Sequence, residues 1–128
     1  MATVIGPDFV ALHVRDLAAA QRFYTELLGL AIDADFTTLA FVTFATRPIL
    51  FAIREAAPGD DPATPGVDLW LRCDDADALH AALAARGVPI LRQPEDTRFG
   101  RRFICRDPDG HALILYTAIP LDQVRRTP

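Results

Sequence analysis

The alternation of apolar and polar residues in the first half of the chain predicts a strand, a helix and further strands. Residues 9–15 form an apolar strand pattern, and Asp16 follows where a helix N-cap is expected. Apolar residues then recur at helical spacing as far as Gly29, a typical helix C-cap. Residues 38–45 and 48–55, rich in Phe, Val, Thr and Ile, are the clearest of two or three antiparallel strands.

The second half repeats this order after a linker rich in Pro, Gly, Ala and Asp at residues 56–66. A strand is predicted at 67–73, Asp74 or Asp75 caps a helix, and Gly87 ends it. Further strands are predicted at 89–92, 101–105 and 111–118, the last two joined by the turn Asp107-Pro108-Asp109-Gly110. The tail 120–128 is polar and is expected to be peripheral.

The two halves superpose along the sequence. Placing Asp16 on Asp75 also places Phe9 on Asp68 and His13 on Arg72. A period near half the chain length indicates two tandem β-α-β-β-β modules. We therefore predict an α+β fold in which the modules, about 7–55 and 67–119 within a single domain 1–128, form a curved mixed sheet around a cleft. One helix per module leaves one face of each sheet for a small ligand.

Composition removes several classes of function. The 128 residues carry a net charge of −4 with scattered Arg side chains, so no nucleic-acid partner is expected. No signal-peptide pattern or membrane-spanning apolar run is present, so a cytoplasmic protein without a membrane partner is predicted. The chain has no Ser, Lys or Asn, which excludes a serine nucleophile, a Schiff-base lysine and a Walker-type phosphate loop. Cys73 and Cys105 follow no metal or redox spacing and are expected to be reduced, buried and inert.

Four short motifs carry a family resemblance. They are Arg15-Asp16-Leu17, Arg22-Phe23-Tyr24, Leu27-Leu28-Gly29-Leu30 and Asp107-Pro108-Asp109-Gly110. In this order they resemble the vicinal oxygen chelate superfamily of glyoxalases, bleomycin-resistance proteins and extradiol dioxygenases. The resemblance implies eight main strands, commonly a homodimer, and in many members a divalent metal held by the first and last strands of each module.

The positions that the resemblance assigns to metal ligands do not carry the usual His and Glu. They fall on Phe9, on Asp68, on Ile114, and on Ala52 or Phe51. Only one of these residues offers an oxygen, whereas a divalent ion needs several donors. We therefore expect no metal and no other cofactor.

The candidate ligand-binding residues follow from strand alternation and from the resemblance. They are Phe9, His13, Phe51, Asp68, Trp70, Arg72, Ile114 and Tyr116. His13 is either a polar handle for a ligand or a strand-end residue, with the second reading favoured, and Trp70 is either an aromatic floor or ordinary core. Tyr116 either donates to a ligand or lies at the rim. Alternation also turns either Arg101 or Arg102 toward the cleft, although a charged surface strand is the favoured reading for this pair.

Three residues are expected outside the cleft. His80 should lie on the surface of its helix, His111 in the turn should be solvent-exposed, and Glu55 should be exposed at a strand end.

Three functions are left open. The first is a metal-free binding module that sequesters an apolar or aromatic small molecule, as bleomycin-resistance proteins do. The second is a metal-dependent lyase, isomerase or dioxygenase with shifted ligands, for example His13, Asp68 and Glu55. The third is metal-free proton chemistry by Asp68 or His13. The pattern favours the first.

Overall fold

The structure, a computed structural model, describes residues 3, 5, 7–58 and 68–119. The chain divides into two compact units, Met1–Thr64 and Pro65–Pro128. The predicted tail and the predicted linker from residue 59 onward lie outside the described residues. Among the described residues, no helix is long and apolar enough to traverse a bilayer.

The first unit contains one helix and a three-stranded sheet. Its strands are β1 (Phe9–Val14), β2 (Phe41–Phe44) and β3 (Leu50–Glu55), in the order β1-β3-β2. β1 runs parallel to β3, and β2 runs antiparallel to it. Helix α1 (Leu17–Arg22) continues into a π-helical turn, Phe23–Leu27.

The second unit contains helix α2 (Ala76–Ala85) and a four-stranded sheet. The strands are β4 (Trp70–Arg72), β5 (Ile90–Thr97), β6 (Gly100–Arg106) and β7 (Ala112–Ala118), in the order β4-β7-β6-β5. β4 pairs with β7 in parallel, and the other neighbours are antiparallel. Two mixed sheets with one α-helix each confirm the predicted α+β class. The described residues form seven strands, against the eight that the resemblance implies.

Both helices begin at the aspartates that the sequence marks as caps. The Asp16 carboxylate accepts a hydrogen bond from the Ala19 amide at 3.0 Å, and the Asp75 carboxylate accepts one from Ala78 at 3.0 Å. Each bond satisfies an amide that the first helical turn leaves without an intrahelical partner. The N-cap predictions are therefore confirmed, with Asp75 rather than Asp74 as the second cap.

Each helix packs on one face of its own sheet and forms a core there. In the first unit the Tyr24 ring lies 5.7 Å from Phe44 and 5.2 Å from Phe51, and both phenylalanines are buried. In the second unit the His80 ring of α2 lies 5.4 Å from the fully buried Phe103 of β6. The expectation that His80 lies on the surface is wrong, because Phe103 and the sheet partly cover it.

The turn between β6 and β7 is built around a buried aspartate. Asp107 is 4% exposed, and its carboxylate accepts hydrogen bonds from the amides of Asp109 at 3.0 Å and His111 at 2.8 Å. Gly110 takes a positive φ of 89°, as the turn chemistry predicts. His111 is only 1% exposed, so its predicted solvent exposure is wrong. The turn folds back and carries this ring inward.

Candidate ligand-binding faces

The face of the first sheet that points away from α1 carries a mixed set of side chains. Leu12 and Val14 of β1 are buried on the helix side, so alternation turns the other β1 side chains to the opposite face. The strand register adds the matching residues of β2 and β3. We call this the first helix-distal face; it comprises Phe9, Ala11, His13, Phe41, Thr43, Leu50, Ala52 and Arg54.

Two aromatic rings meet on the first helix-distal face. Phe9 and Phe41 lie 6.5 Å apart between ring centroids, with their planes at 82°. Phe9 is 52% exposed, which is unusual for a phenylalanine in a strand. This edge-to-face pair presents apolar surface beside the small residues Ala11 and Ala52.

His13 is held by an arginine on the neighbouring strand. Its Nε2 lies 2.6 Å from the Arg54 guanidinium, and the two residues are direct neighbours in the β1–β3 register. Because a guanidinium can only donate, the Nε2 lone pair accepts this bond. The pair places a fixed polar group at one end of this face, and both residues are half-buried.

Phe51 does not lie on this face. It is 4% exposed and stacks at 5.8 Å on Phe44, on the side of the sheet that α1 covers. Its predicted ligand-binding role is therefore replaced by a core role. Ala52, the other residue considered at that position, points to the helix-distal face.

The face of the second sheet that points away from α2 is organised in two rows across the strands. One row places Arg72 of β4, Tyr116 of β7 and Arg102 of β6 side by side. The next row places Trp70, Ile114 and Ile104 side by side. We call these six residues the second helix-distal face. It thus has a polar row directly beside an apolar row, and neighbouring side chains in each row stand about 5 Å apart.

An aromatic cluster lies at the β4 end of the second helix-distal face. The Trp70 ring contacts Tyr116 at 5.2 Å and Phe99 at 5.6 Å, both edge to face. Trp70 is 36% exposed and Phe99 44% exposed, and the Arg98 guanidinium lies 5.5 Å over the Phe99 ring. Trp70 is therefore not ordinary core. Phe99, from the β5–β6 hairpin, is absent from the sequence-based candidates because a hairpin ring carries no alternation signal.

Arg102 is the member of the Arg101–Arg102 pair that lies on this face. Its Nη2 donates to the Glu95 carboxylate of β5, and its side chain is only 15% exposed. Its Nη1 is buried and makes no hydrogen bond. Arg101 lies on the helix side, where its Nε donates to Asp77 of α2 at 3.2 Å.

Asp68 and the cysteines stand apart from these clusters. Asp68 precedes β4 and is exposed. Burial raises the pKa of the Cys105 thiol to about 12, with a smaller contribution from the Asp107 carboxylate. Burial also raises the pKa of the Cys73 thiol. A hydrogen bond with Thr117 lowers this pKa, but by less than burial raises it. Both cysteines are free, and Cys105 is buried as predicted, whereas Cys73 is only half-buried.

The residues at the family's metal positions do not fit a divalent ion. In the first unit the position on β1 is Phe9, and the position on β3 is Ala52 or the buried Phe51, none of which has a donor atom. In the second unit Asp68 supplies one carboxylate and Ile114 of β7 supplies none. Among the described residues, no three His, Cys, Asp or Glu side chains come together as a metal site. The donor set is too small for the metals that proteins hold with nitrogen and oxygen ligands.

A β-α-β-β unit followed by a β-α-β-β-β unit, each with one helix on one side of a mixed sheet, defines an α+β protein built from a repeated module. A family model described as the Glyoxalase/Bleomycin resistance protein/Dioxygenase superfamily matches residues 6–115. The chain belongs to this superfamily, and the resemblance stated from its motifs is confirmed.

Similar proteins include an enzyme and a binding protein. The chain is 30% identical over 112 residues to the glutathione transferase FosA of Serratia marcescens, covering 85% of this chain and 78% of that protein. It resembles TnmS3, an antibiotic binding protein from Streptomyces sp. CB03234, with a TM-score of 0.70 and 26% identity over 93% of this chain and 100% of that one. A glyoxalase-related enzyme from Fulvimarina pelagi shares the fold, with a TM-score of 0.73 and 21% identity over 89% of this chain and 88% of that one.

Proposed function

We propose that this protein binds a small aromatic molecule without a metal and sequesters it rather than transforming it. The second helix-distal face is the principal contact surface. The observation that carries the proposal is the aromatic cluster of Trp70, Tyr116 and Phe99, whose rings contact one another while two of them remain exposed.

The physical argument rests on the cost of leaving such rings in water. A Trp side chain gains free energy when its apolar surface is removed from water, and an edge-to-face cluster offers a ready slot for another planar ring. Ile114, which is 7% exposed, packs beside Trp70 in the same row, and the half-buried Ile104 follows it. An exposed aromatic group next to aliphatic side chains is the composition that small-molecule sites have.

The absence of donors at Phe9, Ala52 and Ile114 supports the metal-free part of the proposal. An apolar side chain at such a position cannot bind an ion, and Phe9, which is 52% exposed, also offers apolar surface to a ligand. The similarity to an antibiotic binding protein supports binding as the activity, since that protein matches nearly the full chain.

Trp70 is the only tryptophan of the chain and so reports directly on this face. We expect N-phenyl-1-naphthylamine, a neutral aromatic probe, to quench Trp70 fluorescence saturably. The dissociation constant should not change when EDTA is present. Replacing Tyr116 by Ala removes one wall of the cluster and should weaken binding about tenfold.

The matched control is Ile5→Ala, which removes a fully exposed apolar side chain from the first unit and should leave the dissociation constant unchanged. Binding that disappears with EDTA and returns with added zinc or manganese would contradict the metal-free proposal. Quenching that does not saturate would contradict a defined site.

An enzyme is the second candidate, because FosA is named a glutathione transferase. In its metal-dependent form, the ligands from this chain would be His13, Asp68 and Glu55. Alternation along β1 and β3 sends His13 and Glu55 to opposite faces of their sheet, since His13 is paired with Arg54. This geometry disfavours the shifted-ligand set, and it leaves Asp68 and His13 as the residues to test for metal-free proton chemistry.

We also propose that the protein is a homodimer, as the family resemblance implies. The first unit supports this with exposed apolar side chains at Phe36 and Leu39, which are 61% and 100% exposed. The cytoplasmic location remains a prediction from the sequence.

A further inference from the structure

The second helix-distal face contains a buried hydrogen-bond donor with no acceptor. Arg102 Nη1 is buried and makes no hydrogen bond, although its neighbour Nη2 is engaged by Glu95. A buried guanidinium N–H without an acceptor is costly, since it has lost water and gained nothing in exchange. Most such groups in proteins are satisfied by protein or by water, so the acceptor for this one is either a water or a ligand oxygen.

The surroundings of Arg102 indicate the charge of that acceptor. The register places Tyr116 next to Arg102 and Arg72 next to Tyr116, so a phenol stands between two guanidinium groups on one face. Arg92 of β5 is paired with Ile104 in the following row. Glu95 is the carboxylate bound to Arg102, and it balances only one of these three positive charges.

The rows also fix the orientation of a ligand. The apolar row of Trp70, Ile114 and Ile104 lies directly beside the polar row of Arg72, Tyr116 and Arg102. If a planar aromatic ring lies on the apolar row, a substituent on the edge of that ring reaches the polar row. Guanidinium groups bind carboxylate, sulfonate and phosphonate oxygens with paired, charge-assisted hydrogen bonds.

We propose that the ligand is an aromatic acid, and that Arg102 Nη1 donates to its anionic oxygen while Tyr116 and Arg72 flank the same group. This inference rests on the proposed binding function and specifies its ligand class. Arg102 thereby acts as a specificity-determining residue. Glu95 competes with the ligand for the same guanidinium and therefore tunes the affinity.

Two probes that differ mainly by one anionic group test the inference. 1-Anilinonaphthalene-8-sulfonate carries a sulfonate that N-phenyl-1-naphthylamine lacks, and both are titrated against Trp70 fluorescence. The sulfonate probe should bind at least about tenfold more tightly than the neutral one. Arg102→Gln should abolish this preference by weakening the sulfonate probe alone.

Two further variants keep the test independent of folding defects. Glu95→Gln removes the competing carboxylate and should tighten the sulfonate probe several-fold, with no effect on the neutral probe. Arg101→Gln removes an arginine from the opposite face of the same strand and should leave the affinity for both probes unchanged. The melting temperature of each variant is measured alongside.

The outcomes separate the two proposals. Equal affinity of the wild-type protein for both probes, or an unchanged preference in Arg102→Gln, overturns the aromatic-acid inference and leaves the binding function standing. Failure of both probes to bind saturably overturns the proposed function itself.

Discussion

Cys105 is a buried thiol whose chemistry is suppressed by its surroundings. It is fully buried on the helix side of β6, and its pKa is raised from the ordinary value of 9.0 to about 12. At pH 8 roughly one Cys105 side chain in ten thousand is therefore a thiolate, the form that reacts. We expect Ellman's reagent at pH 8 to modify Cys105 only after the protein is unfolded in guanidinium chloride.

Cys73 supplies the comparison, because it is only half-buried. Cys73 should react slowly in the folded protein, and Cys73→Ala should remove that signal while leaving the thiol of Cys105 that unfolding exposes.

A raised folded-state pKa also means that the thiol of Cys105 contributes to stability below about pH 9, and that this contribution is lost as the pH rises toward 12. A rapidly reacting Cys105 in the folded protein would contradict this assignment.

At the scale of the elements, the β6–β7 pair depends on a close backbone approach at Gly100. A Cβ atom on this residue would lie 2.0 Å from the carbonyl oxygen of Thr117, and the φ of Gly100 is +137°. Neither the backbone oxygen nor this φ accommodates a side chain. We expect Gly100→Ala to reduce the free energy of unfolding by roughly 3 kcal/mol or more, measured by urea denaturation.

Gly87→Ala is the matched control for this prediction. Gly87 also has a positive φ, +79°, but no atom lies within 4 Å of its Cβ position. Its replacement should therefore cost only the conformational strain, about 1 kcal/mol. Equal destabilisation by the two variants would show that the contact with Thr117 is not the cause.

The sequence predicts elements well where their signals are local. Asp16 and Asp75 are caps because a short carboxylate can reach an amide three residues ahead, and this requires no tertiary contact. β5 was predicted to end at residue 92 but continues to Thr97. Its extension contains Pro94, Glu95 and exposed polar residues, and it is held by pairing with β6, which no local pattern reveals.

Site residues were harder to predict because tertiary packing decides them. Trp70, Arg72, Ile114 and Tyr116 share one face because alternation and register agree in β4 and β7. Phe51 failed as a site candidate because a one-residue difference in a strand changes the face, and the sequence offered Phe51 and Ala52 equally. The polar composition of the turn predicts an exposed His111, whereas the residue is 1% exposed in the structure.

At the scale of the whole molecule, both modules have a helix packed on a mixed sheet, while Phe9, Ala52 and Ile114 have no metal-ligand atom in their side chains. The sheets and helices depend on caps, turns and apolar cores, which both halves retain. Fold membership therefore does not decide what the protein binds, which depends on the side chains of the faces away from the helices.

A short apolar stretch before β2 is the proposed interface of the homodimer. The first unit exposes Ile32, Phe36 and Leu39 at 39%, 61% and 100%, all within one short stretch before β2. Apolar side chains clustered in this way favour an interface, and a second copy of the chain would bury them. Light scattering coupled to size-exclusion chromatography should give twice the chain mass of 14.0 kDa.

The double variant Phe36→Asp with Leu39→Asp should give the mass of one chain, because burying two carboxylates in an apolar interface is unfavourable. Ala81→Asp, at an exposed position of α2, should leave the dimer intact. A wild-type mass of one chain would contradict the proposed homodimer, as would a double variant that still has the dimer mass.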